Sequence, residues 1–354
     1  MSKCDHTAWL EVETGETGPF LSYGSRFAQV TQQLHDPSAQ FPGLVFFMGR
    51  RRKNVALRQL YRGSLGRHST GQNINLRLNN DTARCKNPTI FADCDPNQRP
   101  SFPTLNAPKL CHPTKSYPIS WSENGQDIFD VIFARLLFLF TDVLCIFAED
   151  VGGLRGVNSL LKTWASIGSA SSLPKSVRPS VIVVTQDENA SVTGDVLDEE
   201  EFLVQLFETS NSDLLATFSS VNFLRLGSNE LSPMARHLPL ADAVLSELET
   251  SRLSRVGNLC LFSATHLNAF FEDALRHASV DLPLSFDFVS SSRRGNSLDR
   301  SFASHLQTFL SLGVKMRTPY DSLASFIASA ILMDSYPPGM HGMYIGEEKR
   351  SKLI

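Results

Sequence analysis

A basic cluster follows a continuous apolar run and begins a segment with helical spacing. The run Leu44–Met48 predicts a strand buried on both faces. After it comes the stretch Gly49-Arg50-Arg51-Arg52-Lys53-Asn54-Val55-Ala56, in the place where a mononucleotide-binding fold has its phosphate loop. In the pattern G-x-x-x-x-G-K-[ST], backbone N–H groups face the phosphates, Lys reaches the β- and γ-phosphates, and the hydroxyl holds magnesium.

Three of the four chemical positions of that pattern are altered. Aligned on Gly49, Asn54 stands for the second Gly, Val55 for Lys and Ala56 for Ser or Thr. The basic residues Arg50–Lys53 could still bind an anion, because a helix start favours negative charge and Arg binds phosphate in a bidentate manner. Three interpretations therefore stay open for this loop: a site for a phosphate-bearing ligand, a solvated basic loop, or a nuclear-import patch.

Two further segments stand where a GTPase has its nucleotide-binding motifs, and each follows a later strand. We call these positions, with the phosphate loop, the nucleotide stations. Asp93-Cys94-Asp95-Pro96 stands where D-x-x-G is expected, and Thr185-Gln186-Asp187-Glu188 where [NT]-K-x-D is expected. Each station keeps its place and loses part of its chemistry, so together they predict a GTPase-like topology with degenerate nucleotide stations. The predicted nucleotide- or phosphate-binding residues are Gly49, Arg50, Arg51, Arg52, Lys53, Asp93, Thr185 and Asp187. We assign no catalytic residue and no metal ligand.

A glycine-arginine segment supports a different chemistry. Asp150-Val151-Gly152-Gly153-Leu154-Arg155-Gly156 resembles the D-G-G-G-x-R-G oxyanion loop of patatin-like lipases, with Val151 in place of the first Gly. Such lipases also need a G-x-S-x-G nucleophile elbow and a later Asp-Gly, and the sequence contains neither. The alternative interpretation is a Gly-rich turn from strand to helix, with Asp150 near the helix start.

Composition restricts the class of protein. Apolar residues make up 42% and charged residues 19%, so a packed core is feasible, and the formal net charge of -3 argues against a surface built to grip nucleic acid. The N-terminus has no apolar signal region, and Arg135 and Asp142 interrupt the most apolar stretch, so no transmembrane segment is predicted. Six unpatterned cysteines favour a reducing compartment. We therefore expect a cytoplasmic protein, with the nucleus as the alternative.

Strands alternate with helices between about residues 40 and 230, which predicts right-handed βαβ units. The predicted strands are Leu44–Met48, Pro88–Ala92, Val143–Phe147, Ser180–Val184 and Val221–Leu226. Residues 62–88 have the composition of a loop, and residues 95–125 that of a proline-rich insertion. The predicted organisation is a mixed segment over 1–40 without a clear period, a degenerate GTPase-like domain over 41–231, an α-helical extension over 232–341 and a polar tail over 342–354.

Several segments taken together resemble a known family. They are Phe140–Leu154, Trp164–Pro174, Arg178–Thr185, Leu261–His266 and Met333–His341. They resemble the N-terminal region of large fungal multidomain proteins whose C-terminal part is a patatin-like phospholipase, over roughly residues 40–341. The resemblance implies a GTPase-like module that precedes the lipase. It implies no phospholipase activity here, because the sequence carries no lipase domain after His341.

The sequence therefore predicts a three-layer α/β fold of the P-loop NTPase or GTPase type, with a mainly parallel sheet and an α-helical extension. The predicted function is that of a non-catalytic, degenerate GTPase-like interaction or regulatory module without a cofactor, which acts through an unknown protein partner. The first alternative is an atypical binder of GTP or ATP with magnesium, in which Arg50–Lys53 replace the Walker lysine and Asp93 keeps the metal. The second is a patatin-type lipid acyl hydrolase.

Overall fold

The computed structural model describes residues 7–15, 18–61, 74–96, 114–121, 127–168, 172–186, 201–204, 214, 216–228, 230–258, 260–280, 284–293 and 301–335. These residues fall into two compact units. The first comprises the described parts of Met1–Ser254 with Phe262–Phe286, and the second those of Arg255–Leu261 with Asp287–Ile354.

The first unit is built on one mixed sheet. Its strands are β1 (Ala8–Gly15), β2 (Gly18–Tyr23), β3 (Gly43–Met48), β4 (Ile74–Leu78), β5 (Thr89–Cys94), β6 (Lys115–Pro118), β7 (Val143–Phe147), β8 (Ser180–Gln186) and β9 (Ser220–Leu226). Among the described residues, the strand order across the sheet is β6-β2-β1-β4-β5-β3-β7-β8-β9. All five strands predicted from the sequence are present, each within a few residues of its expected bounds.

The two halves of the sheet differ in direction. Strands β5, β3, β7, β8 and β9 pair in parallel, in agreement with the predicted βαβ units. Strands β6, β2, β1 and β4 pair antiparallel, and β4 joins this half to β5. The prediction of a mainly parallel sheet is therefore right for one half only, and the fold is a mixed α/β fold.

Three segments predicted to lack regular structure contribute to the antiparallel half. Residues 1–40, which show no clear period, contain β1, β2 and the helix α1 (Arg26–Gln32). Residues 62–88, predicted as a loop, contain β4, whose polar residues Asn75 and Arg77 are buried. The prediction for 62–88 is therefore wrong at β4. The stretch 95–125, predicted as a proline-rich insertion, contains β6, so that prediction is wrong at β6. Its residues 97–113 and 122–125 lie outside the described residues.

Helices pack against both faces of the sheet. They are α2 (Arg51–Leu60), α3 (Ile128–Arg135), α4 (Gly153–Ile167), α5 (Pro233–Gly257) and α6 (Ala264–Val280). On one face, alternate residues of the parallel strands, Phe47 and Cys145 among them, form a core with Leu57 of α2 and Leu240 of α5. This alternation follows from the strand period of two.

The opposite face is covered by α3 and α4 through aromatic side chains. The ring of Phe46 on β3 lies 4.7 Å from that of Phe133 on α3, and Phe133 stacks on Trp164 of α4 at 5.4 Å. The indole N–H of Trp164 donates to Asp130 over 2.7 Å, which satisfies the polar end of this buried ring.

The antiparallel half is covered by α6, which lies in the predicted helical extension. Phe271 of α6 contacts the rings of Trp9, Tyr23 and Phe27, at centroid distances of 4.7, 5.5 and 5.5 Å. Trp121, which follows β6, donates its indole N–H to the carbonyl oxygen of Ala278 over 2.6 Å. Helix α6 therefore belongs to the unit that holds the sheet. The second unit contains α7 (Phe288–Arg293), α8 (Phe302–Lys315) and α9 (Tyr320–Ser335).

Strand β1 carries the carboxyl group of Glu11, whose titration makes the stability of the sheet depend on pH. Burial, the charge of Glu13 and a hydrogen bond with Glu13 raise the pKa of Glu11 from 4.5 to about 7. The folded chain thus binds more protons than the unfolded chain between these two values, so stability falls as the pH rises from about 4.5 to about 7.

We expect Glu11→Gln to remove this dependence, so that the thermal midpoint of the variant exceeds that of the parent by a larger margin at pH 8 than at pH 5. Glu249→Gln, on the exposed surface of α5, is the control. An equal margin at both pH values would contradict the assignment.

Candidate functional site

The start of α2 holds the carboxylate of Asp150. The Oδ2 atom of Asp150 accepts the N–H groups of Arg50 and Lys53 at 2.7 and 3.0 Å, and its Oδ1 atom accepts those of Arg51 and Arg52 at 3.1 Å each. These are the N–H groups that a helix leaves without an intrahelical partner at its N-terminus. The geometry is that of an anion site at a helix start, with the anion supplied by the chain.

The sheet topology brings this carboxylate to α2. Asp150 follows β7 directly, at the end of the short helical turn Ala148–Asp150, and α2 follows β3. Since β3 and β7 are parallel neighbours, the segments after their carboxyl ends meet at the same edge of the sheet.

Gly49 makes the contact between the two segments possible. Its φ angle of 144° lies in a region that favours glycine, and a Cβ atom at this position would stand 2.7 Å from Oδ2 of Asp150. The predicted phosphate-loop glycine is therefore required here for the approach of a carboxylate.

A buried ionic cluster lies beside the nest, the name used here for the N–H groups of Arg50–Lys53 that bind Asp150. Lys53 donates its ammonium group to Oδ2 of Asp93 and to the carbonyl oxygen of Cys94, both over 3.0 Å. Arg77 on β4 donates to Oδ1 of Asp93. The three charged side chains are only 5, 7 and 3% exposed for Lys53, Asp93 and Arg77. The predicted residues Lys53 and Asp93 are thus together, and they are paired with each other.

The other predicted basic residues are closer to solvent. Arg50 and Arg51 are exposed, and the Nε atom of Arg50 lies 3.6 Å from a carboxylate oxygen of Asp95. Val55, at the position of the Walker lysine, is exposed, and Ala56 is buried. Burial raises the pKa of the neighbouring Cys94 thiol, which therefore stays protonated near neutral pH.

The third predicted station lies at the end of β8. The hydroxyl of Thr185 is buried and has no hydrogen-bond partner among the described residues. The next N–H, that of Gln186, donates to Glu149 over 2.7 Å. Asp187 lies outside the described residues. Both acidic residues follow β7. Glu149 contacts the end of β8, and Asp150 contacts the segment that follows β3.

The glycine-arginine segment Asp150–Gly156 forms the turn from β7 into α4 and the start of that helix. Gly152 and Gly153 have φ angles of 97 and 74°, and the position of Gly156 would bring a Cβ atom into collision with the carbonyl oxygen of Val151. This agrees with the interpretation as a Gly-rich strand-to-helix turn. Asp150, which the sequence places near the start of α4, accepts the N–H groups at the start of α2.

Two searches of the described residues bear on other kinds of site. No three His, Cys, Asp or Glu side chains lie together there in a way that could hold a metal ion. No helix in that part of the chain combines the length and apolar character that a membrane crossing needs.

Comparisons with known proteins add little to this geometry. No protein-family model and no curated protein matches the chain. Among solved structures, the chain is similar to the siderophore hydrolases EstA and EstB from Aspergillus nidulans, at 10 and 12% sequence identity and TM-scores of 0.28 and 0.29. The matches cover 69 and 68% of this chain and 95% of each hydrolase. A likeness at these TM-scores supports no statement about fold or activity.

Proposed function

We propose that this chain is a non-catalytic, degenerate GTPase-like module that acts by interaction or regulation. The observation that carries the proposal is the Asp150 carboxylate on the four N–H groups at the start of α2. A nucleotide phosphate would need the same donors, and each is already paired with an anion of the chain.

The arrangement of the sheet supports the GTPase-like part of the proposal. The predicted stations at Gly49–Lys53, Asp93 and Thr185 follow or end β3, β5 and β8, which are parallel strands of one sheet. Their carboxyl ends form the edge where open α/β sheets bind ligands. Helices on both faces of this sheet are consistent with the three-layer architecture of P-loop proteins.

The chemistry of the site supports the non-catalytic part. Phosphoryl transfer depends on cations that stabilise charge on the transferring group. The buried cation nearest to the loop, Lys53, is held by Asp93, and the Walker lysine position carries Val55. We infer that neither Lys53 nor the residue at the Walker lysine position supplies a cation to a γ-phosphate.

Exposed apolar side chains support a role in interaction. Helices α8 and α9 expose several large ones, of which Val314 and Tyr320 are 58 and 76% exposed. Such residues on adjacent helices are typical of surfaces that contact another molecule. The kinship with the N-terminal regions of fungal patatin-like phospholipase proteins belongs to the same proposal and rests on the sequence resemblance.

The two alternatives need different features. An atypical nucleotide binder would use the Lys53 and Asp93 pair on magnesium and phosphate, so that pair would have to separate. A patatin-type hydrolase would use the N–H groups after β7 as an oxyanion hole, and the sequence provides no G-x-S-x-G nucleophile for it.

A nucleotide titration tests the proposal. We expect no saturable heat when GTP, ATP, GDP or ADP is added to the full chain at millimolar concentration, with or without magnesium, and no phosphate release from GTP. Micromolar binding that disappears on replacement of Arg50–Lys53 by alanine would contradict the proposal and favour the nucleotide binder. Asp93→Asn would then test whether that carboxylate holds magnesium.

A further inference from the structure

Helices α8 and α9 form a hairpin that covers very little of its own apolar surface. Of residues 302–335, 18 of 34 are apolar, against 42% for the whole chain, and four are Lys, Arg or Asp. Among the side chains described here, those of 302–330, only Gly313 and Leu323 are buried. We propose that the tip of this hairpin, residues 312–320, docks on an anionic lipid surface and inserts its apolar side chains among the acyl chains. The inference names what the exposed surface of α8 and α9 contacts, and to that extent it rests on the proposed function.

The end of α8 exposes apolar side chains on opposite sides. Leu312, Val314 and Met316 are 54, 58 and 70% exposed. At 3.6 residues per turn, Leu312 and Met316 share one side, and Val314 lies about 160° away from each of them. A protein groove covers one stripe of a helix, whereas a helix end that is apolar on both sides fits a medium that surrounds it. Tyr320, at the start of α9, adds an exposed aromatic ring with a hydroxyl group, which suits the boundary between acyl chains and headgroups.

The backbone of the tip forms hydrogen bonds within the turn, as contact with an apolar medium requires. The N–H of Thr318 donates to the carbonyl oxygen of Gly313 over 3.0 Å, and that of Arg317 to the carbonyl oxygen of Val314 over 3.1 Å. With Arg317 in the left-handed conformation, at a φ angle of 56°, these two bonds form a Schellman motif. Pro319 has no N–H group to satisfy. The turn can therefore enter the interface without losing these bonds.

The charge of the tip selects an anionic surface. Lys315 and Arg317 are exposed, and residues 312–320 contain no acidic residue. The long stems of both side chains allow the charges to stay at the headgroups while their apolar neighbours insert. Asp321 follows in the first turn of α9, where the helix dipole favours a negative charge.

The distribution of charge over the chain has the same sign. The unit that contains the hairpin, Arg255–Leu261 with Asp287–Ile354, has nine Lys or Arg and six Asp or Glu, a formal charge of +3. The remaining residues have 24 and 30, a formal charge of -6. An anionic surface therefore attracts the unit with the exposed apolar hairpin and repels the other unit.

Vesicle binding by the full chain tests the proposal. The probes are vesicles of phosphatidylcholine alone and vesicles of equal parts phosphatidylcholine and phosphatidylserine. We expect saturable binding to the mixed vesicles, about tenfold or more tighter than to phosphatidylcholine and weaker at high salt. Bromine-labelled acyl chains should quench the fluorescence that Tyr320→Trp adds to the parent spectrum, which contact with headgroups alone would not do.

A first double variant tests the apolar contribution. Met316→Ser/Tyr320→Ser should weaken binding to the mixed vesicles by about tenfold or more, because two side chains no longer bury apolar surface. Leu245→Ser/Leu253→Ser is the matched control, since it removes two exposed apolar side chains from α5 and should leave binding unchanged. All four positions are exposed, so the variants should fold.

A second double variant tests the charge. Lys315→Gln/Arg317→Asn should weaken binding to the mixed vesicles by about tenfold or more and leave that to phosphatidylcholine unchanged. Asparagine is chosen for residue 317 because it tolerates the left-handed conformation. Arg84→Gln/Lys86→Gln is the matched control, an exposed basic pair of the same spacing in the first unit.

Three outcomes would overturn the proposal. The first is the absence of saturable binding to the mixed vesicles, and the second is an equal loss of binding in the control variants. The third is an oligomer in sedimentation that Met316→Ser/Tyr320→Ser dissociates, since the hairpin would then be an interface between copies of this chain. Nucleotide binding to the parent would contradict the proposed function and would leave the vesicle result to decide this proposal.

Discussion

Asp93→Ala is expected to lower the free energy of unfolding by about 3–5 kcal/mol, because it leaves two buried cations without their counter-ion. Asp93 accepts from Lys53 on one oxygen and from Arg77 on the other, and all three side chains are buried. Arg77 already has an Nε atom without a partner among the described residues, so the cluster has little capacity to rearrange. For a unit of this size the change corresponds to a fall in thermal midpoint of about 10 °C.

Thermal and urea unfolding of the variant and the parent measure this effect. Asp93→Asn should cost nearly as much as the alanine variant, since it keeps the shape and removes the charge. The control is Glu249→Ala, whose carboxylate pairs with Arg252 on the exposed surface of α5 and should contribute little. In the background Lys53→Met/Arg77→Met, the removal of Asp93 should cost far less. A loss of equal size in both backgrounds would show that the cation pairs are not its cause.

The strands of the parallel half could be predicted from the sequence because they are apolar throughout. Leu44–Met48, Val143–Phe147 and Ser180–Val184 are continuous apolar or β-branched runs, and both of their faces are buried under helices. Their bounds in the structure agree with the prediction within a few residues. The pattern is decisive here, since a run of this length and composition has few other stable environments.

Strand β4 could not be predicted in the same way because its polar residues are buried for a specific reason. Asn75 receives a hydrogen bond from Thr7 over 2.9 Å, and Arg77 pairs with Asp93 on the adjacent strand. In the sequence these side chains resemble the solvent-facing residues of a loop. Their partners lie on another strand or next to one, and only the assembled sheet shows them.

The candidate site, like the sheet, could be predicted from the sequence only in part. The topology is enough to predict that Gly49 and Asp93 lie near each other, since both end neighbouring parallel strands. The role of Asp150 was missed because its partners are backbone N–H groups, which leave no trace in the sequence. One signal was available: four basic residues at a helix start without an acidic residue need an anion from elsewhere, and Asp150 follows the next strand in the sheet.

Gly49→Ala is the second variant for which we expect a large effect. The φ angle of 144° is unfavourable for alanine, and the new methyl group would stand 2.7 Å from Oδ2 of Asp150, so the carboxylate would have to leave its donors. The strain and the lost hydrogen bonds together should lower the free energy of unfolding by about 2–4 kcal/mol. Urea unfolding of the full chain measures this change. Gly257→Ala is the matched control, because a Cβ atom there would meet nothing within 4 Å, and we expect a change of at most about 0.5 kcal/mol.

A double-mutant cycle with Asp150 separates the two causes. If the methyl group acts mainly by expelling the carboxylate, Gly49→Ala should cost less in the background Asp150→Ala than in the parent, with a coupling of about 1–2 kcal/mol. The cost that remains in that background measures the backbone strain alone. Strictly additive effects would mean that the two residues act independently, and the close approach of Gly49 to the carboxylate would then have no energetic consequence. A clear coupling would tie the glycine of this degenerate phosphate loop to the anion that occupies it.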